Sequence, residues 1–163
     1  MEISADSKNK LPHSIDMRFS LFTLLLSATI ILLVASCSPQ EKKHASQQYI
    51  QSMRKVPALA WLQANTNQSA LATNRFGPTK EARKFVEHLF RLGAVQVYVG
   101  DPMDEATRIN DEGGPYADTL IVELPDNAEV RAKLFQVFAD EAKREAFDPE
   151  PDTGQRQVLL WWD

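Results

Sequence analysis

The chain has 163 residues, one cysteine, 44% hydrophobic and 25% charged side chains, and a formal charge of −4. That length holds one domain, or one domain and a tail, and a single cysteine excludes an internal disulfide framework and any paired-cysteine zinc or redox site. The mildly acidic balance lacks the net basic footprint of a general nucleic-acid binder, so no nucleic-acid partner is expected.

Hydrophobicity is concentrated at the N-terminus, where 19 of the 71 hydrophobic residues lie in the first 36 positions. Eighteen uncharged residues run from Phe19 to Ser36, with Arg18 directly before them and Lys8 and Lys10 further out. A basic flank, an apolar stretch and small residues at its end form the pattern of a secretory signal over residues 1–36. The run closes on Leu33-Val34-Ala35-Ser36-Cys37.

These residues resemble the lipobox of bacterial membrane lipoproteins, with Val34, Ala35 and Ser36 in the aliphatic and two small positions before the cysteine. The resemblance implies cleavage before Cys37, lipidation of Cys37 and anchoring of the protein to a membrane of the cell envelope. Ser38 stands where an aspartate is associated with inner-membrane retention. The resemblance therefore implies the outer membrane, at its periplasmic face or the cell surface, where the organism has one. A single spanning helix is the competing reading, since 18 residues at about 1.5 Å each reach about 27 Å. Met17-Arg18-Phe19-Ser20 is itself a conventional signal-peptide start, so translation is expected to begin at Met17, with residues 1–16 a misassigned extension.

Residues 37–67 read as a lipidated tether rich in Gln, Asn, Ser, Ala and Lys. Its apolar stretch Val56-Pro57-Ala58-Leu59-Ala60-Trp61-Leu62 is suited to pack back onto a following domain, residues 68–163. Ser69–Phe76 is expected as a first strand, ended by Gly77-Pro78. Thr79 is expected to cap a helix to about Leu92, with Ala82, Phe85, Val86, Leu89 and Phe90 on one stripe and Gly93 as its stop. Ala94–Val99 alternates as a strand, with Val95, Val97 and Val99 on one face and Gln96 and Tyr98 on the other. A long loop, 100–117, follows.

Thr119–Leu124 is the next expected strand, and Pro125 ends it. Asp126 and Glu129 form an Asp-x-x-Glu capping box for a helix to about Ala146, with core candidates Val130, Leu134, Val137 and Phe138. Pro149 and Pro151 forbid its continuation, and Gln157–Trp162 is a last strand. This order predicts an α+β fold: a ferredoxin-like β-α-β-β-α-β sandwich, or α-β-β-α-β if the first strand is absent.

Residues 37–100 carry a net charge of +6 and residues 101–163 a net −10. The acidic half opens with Asp101, Asp104, Glu105, Asp111, Glu112 and Asp118, six carboxylates around Gly113-Gly114. Such a loop has enough oxygens to wrap a divalent cation, although its spacing departs from the EF-hand pattern. No catalytic residue is assigned, because no nucleophile motif, HExxH, Walker A or GxGxxG pattern occurs.

Asn74 and Arg75 are a candidate polar anchor near the first domain helix, and Tyr116 adds an aromatic to the long loop. Trp161 and Trp162 point in opposite directions, so Trp161 and Tyr98 would form an aromatic platform on the outer sheet face. The other arrangement has the tether covering that face through Trp61 and Leu62. The expected function is a lipid-anchored module that binds an envelope protein or small ligand without catalysis. A divalent-metal-dependent hydrolase or metal sensor using the acidic loop, and a structural envelope spacer, are the alternatives.

Overall fold

The computed structural model describes residues 39–162; Met17, the signal segment and the lipobox Val34-Ala35-Ser36-Cys37 lie outside the described residues. In chain order the elements are helix α1 (Pro39–Ser52), strand β1 (Lys55–Pro57), α2 (Ala58–Ala64), the single turn α3 (Thr73–Phe76), α4 (Thr79–Leu92), β2 (Gln96–Gly100), α5 (Ala106–Glu112), β3 (Thr119–Glu123), α6 (Ala128–Arg144) and β4 (Gln157–Trp161). The fold is α+β, with one antiparallel sheet of order β1-β2-β3-β4. Among the described residues no helix is long and apolar enough to cross a membrane.

Four strands are present, but the first is Lys55–Pro57 rather than Ser69–Phe76, and helix α5 stands between β2 and β3 where the expected order has only a loop. The ferredoxin-like arrangement is not confirmed. Its split βαβ units would set another strand between the two strands that each helix joins, whereas here the order is sequential and each strand pairs antiparallel with the next. Ser69–Phe76 fails as a strand because side chains take the N–H groups that a ladder would need. Asn67 Oδ1 accepts from the Ser69 amide at 2.8 Å and Thr79 Oγ1 from the Ala70 amide at 2.8 Å. Leu71 keeps one isolated bridge to Ala117, and Ala72 then turns the backbone at φ 38° into α3.

The two sheet faces follow from the period-2 alternation of the strands. Val97, Val99, Leu120, Val122, Val158 and Leu160 point inward, against Leu62 of α2, Val86 and Leu89 of α4, and Leu134 and Phe138 of α6. Tyr98, Ile121 and Leu159 point outward, where Ile50 and Met53 cover them. The outer face is thus covered by the expected tether, but through Ile50 and Met53; Trp61 and Leu62 pack with the inner core instead. The compact unit accordingly begins at His44 rather than at residue 68.

Two helix ends are set by local chemistry. Gly93 closes α4 at φ 107°, and a Cβ there would stand 2.6 Å from Val130 Cγ1, so glycine is needed both for the turn and for the approach of α6. Asn127, one residue beyond the expected Asp126, caps α6 by accepting from the Glu129 and Val130 amides at 3.0 Å each. At the start of α4, Pro78 holds the cap position. Thr79 instead ties α4 to the preceding loop, donating its hydroxyl to the Asn67 carbonyl at 2.6 Å.

Candidate functional site

The acidic loop folds back on itself through cations, and part of it is the helix α5. Arg54, just after α1, reaches its first two carboxylates: its amide donates to Asp101 Oδ1 at 2.6 Å and its guanidinium to Asp104 Oδ2 at 2.8 Å. The guanidinium also donates to the Pro102 carbonyl. That hydrogen bond to Arg54 holds the Asp104 carboxyl below its ordinary range. Arg108 sits between two more, with Glu112 at 2.7 Å and Glu105 at 3.9 Å. Asp118 accepts from the Thr119 hydroxyl at 2.7 Å, and Asp111 lies exposed on α5.

The six carboxylates therefore do not converge. Among the described residues no group of three or more His, Cys, Asp or Glu side chains is placed to hold a metal ion. A guanidinium already occupies the middle of each half of the loop, so a divalent cation would have to displace a fixed positive charge.

The glycines and the aromatic of this loop give it a firm seat. A Cβ on Gly114 would lie 2.5 Å from the Asn67 amide nitrogen, so only glycine lets the loop approach the 65–67 backbone this closely. Asn65 donates to the Pro115 carbonyl at 3.0 Å and the Thr66 hydroxyl to the Gly113 carbonyl. Tyr116 bridges Met103 and accepts at its hydroxyl from the Thr73 amide at 3.4 Å.

Beside it, α3 sets the half-buried Arg75 against Glu141. The guanidinium makes a two-pronged pair with Glu141 of α6, Nε to Oε2 at 2.6 Å and Nη2 to Oε1 at 2.7 Å. The indole of Trp162 donates to the same Oε2 at 3.1 Å. Arg75 lies 4.7 Å from the Phe76 ring centre and 5.8 Å from that of Phe85. Burial pushes the Glu141 carboxyl upward, but the hydrogen bonds from Arg75 and Trp162 overcome it and leave the group below its ordinary value.

A second arginine, this one buried, organises the segment after α6. Arg131 donates from Nε and Nη2 to the two oxygens of Asp152 at 3.0 and 2.5 Å, and to the carbonyls of Pro125 and Gln155 at 3.1 Å each. The buried Gln155 amide holds the same turn, donating to the Pro151 carbonyl and accepting from the Thr153 amide.

That segment brings Phe147 beside β4. Its ring stacks on Trp161 with centres 5.8 Å apart and planes 28° apart, although the residues stay 49% and 40% exposed. Between β4, the end of α6 and residues 147–150 lies a hollow of about 170 Å³, lined by Phe138, Ala142 and Leu159 and rimmed by Asp148 and Glu150.

The expected surface residues thus separate into three places. Trp161 lines the hollow, Tyr98 is half-buried under Ile50 and Met53, and Tyr116 stands near α3 with Asn74 and Arg75. Sequence reasoning assigned no part to Glu141, Arg131, Asp152 or Phe147. The signal for the first two was in α6: Arg131, Leu134, Phe138 and Glu141 fall on one helical stripe, and a charge on a core stripe announces a buried partner. No family model, curated protein or solved structure matches this chain.

Proposed function

We propose that this chain is a lipid-anchored cell-envelope protein whose α+β domain binds a ligand or a partner protein without catalysis. The observation that carries the location is the uncharged run ending in Val34-Ala35-Ser36-Cys37, with the chain's single cysteine at the lipidated position of the pattern. Several acyl chains hold a protein to a bilayer stably, at about 0.8 kcal/mol per buried CH₂. The binding role is supported by Trp161 and Phe147, two large stacked aromatics left half in solvent at the mouth of a hollow.

Cys37→Ser should move the protein wholly from the membrane fraction to the soluble fraction and abolish incorporation of an alkyne-tagged fatty acid. Retention of either property in this variant would overturn the anchor. Turnover of an envelope substrate by the purified Cys37→Ser protein would overturn the non-catalytic role. A spacer differs from a binding module in one respect: Phe147→Ser with Trp161→Ser would leave a spacer's cellular phenotype unchanged and should abolish that of a binding module.

A further inference from the structure

The sheet has two edges, and they are unequally protected. β1 is three residues long and contains Pro57, both devices that blunt strand pairing. β4 reads Gln-Val-Leu-Leu-Trp, with neither proline nor charge. Its hydrogen-bond parity is set by Leu124, whose amide donates to the Arg156 carbonyl at 2.9 Å, and by Trp162, whose amide donates to the Asp118 carbonyl at 3.1 Å. Residues 156, 158, 160 and 162 therefore face β3, and Gln157, Leu159 and Trp161 turn their backbone groups to the free edge. The Gln157 carbonyl is met there by the Gln47 side chain at 3.0 Å. The backbones of Leu159 and Trp161 take no partner among the described residues.

This open stretch borders the hollow described above, so backbone donors and acceptors, an apolar floor and the Trp161–Phe147 stack lie together. The charged side chains lining the hollow are all acidic: Glu141, paired with Arg75, Asp148, and Glu150, whose Oε1 accepts from the Gln155 side-chain amide at 3.1 Å. We propose that the β4 edge takes an extended basic segment of a partner protein, which adds to the sheet as a fifth strand and sets its cationic side chains against Asp148 and Glu150. A second copy of this chain fits less well, because pairing β4 with β4 would bring two sets of these carboxylates together. Backbone hydrogen bonds would supply register and the hollow would take alternate side chains. The inference deepens the binding role proposed above and does not depend on the lipid anchor.

The test uses the full-length chain, ¹⁵N-labelled in a non-ionic detergent, and the end-blocked peptide Lys-Val-Lys-Val-Lys-Val-Lys. Saturable shifts centred on Leu159 and Trp161 are expected, with exchange of both amides slowed at least about tenfold. The peptide with Glu in place of Lys, and the basic peptide N-methylated at its interior residues, should each bind at least about tenfold more weakly. Asp148→Asn should weaken the basic peptide several-fold and leave the spectrum of the free protein intact.

Three results would overturn the proposal: no saturable binding, equal binding of the N-methylated peptide, or a dimer in which Leu159 and Trp161 are already protected without peptide. Failure here leaves the Cys37→Ser result standing, and a soluble or membrane-bound outcome for that variant does not alter the peptide result.

Discussion

Arg75→Met should destabilise the domain by about 3 kcal/mol at pH 7, because it leaves the buried Glu141 carboxylate with the Trp162 indole as its hydrogen-bond donor and only the exposed Arg144, 3.7 Å away, as a cation. The figure is taken at the lower end for a broken buried pair because the Arg75 side chain retains 24% of its exposure. Acidification separates this mechanism from a loss of packing against Phe76 and Phe85. In the native protein the Glu141 carboxyl titrates below its ordinary value of 4.5. Its contribution is therefore complete above that value and is lost as the pH falls through the lowered one.

In Arg75→Met burial, already the largest influence on Glu141, loses the strongest of the contacts that oppose it, and the carboxyl rises. The folded variant is then penalised at neutral pH and relieved as the carboxyl takes up a proton. The gap between the two proteins should consequently shrink below about pH 4.5. Urea denaturation followed by tryptophan emission at pH 7 and pH 4 measures it. An unchanged gap would assign the loss to packing alone. Combining Arg75→Met with Glu141→Gln should recover part of the stability, since the double change removes the buried charge that Arg75 had matched.

Ile50→Ala should cost about 2–4 kcal/mol, the usual loss for truncating a fully buried branched aliphatic residue. Ile50 is 1% exposed and packs with Met53 against Ile121, Tyr98 and Leu159, so the void would open on the outer sheet face. A residue in a free tether would change stability by less than about 0.5 kcal/mol. The midpoint of a urea transition discriminates these outcomes. The same variant should speed hydrogen exchange at Ile121 and Tyr98 more than at Val122, which faces the other layer.

The legible parts of this fold were those whose periodicity and punctuation agree. Helix α4 carries a continuous apolar stripe and ends on Gly93, and the alternation in β2 put Val97 and Val99 on the face that meets the helices, although Val95, expected beside them, precedes the strand and is exposed. The strand at Lys55–Pro57 was illegible for a physical reason. It is short, contains a proline and gains its place from pairing with Tyr98, Val99 and Gly100 far along the chain. Ile50 and Met53 were hidden similarly, as isolated apolar residues in a polar helix that bury because an outer sheet face is available.

The candidate site was partly legible. Trp161 could be read as exposed from strand alternation, but Phe147 lies outside regular structure and reaches it only through the turn held by Arg131, Asp152 and Gln155. Six carboxylates in the acidic loop suggested a cation site by composition; the positions of Arg54 and Arg108 among them depend on tertiary approach.

The turn held by Arg131 has a further consequence, for survival of the chain among proteases. Residues 147–154 are exposed and lie outside helix and strand, which ordinarily marks a cleavage point. A protease must draw several residues into an extended strand in its own cleft. Here Asp152 is clamped by Arg131, the Pro151 carbonyl is held by Gln155, and both anchors are buried. Drawing out the segment would pull two polar side chains from the core along with it. Cleavage in this exposed stretch is thereby coupled to opening of the interior, and the segment can present Phe147 to solvent without becoming the chain's weak point.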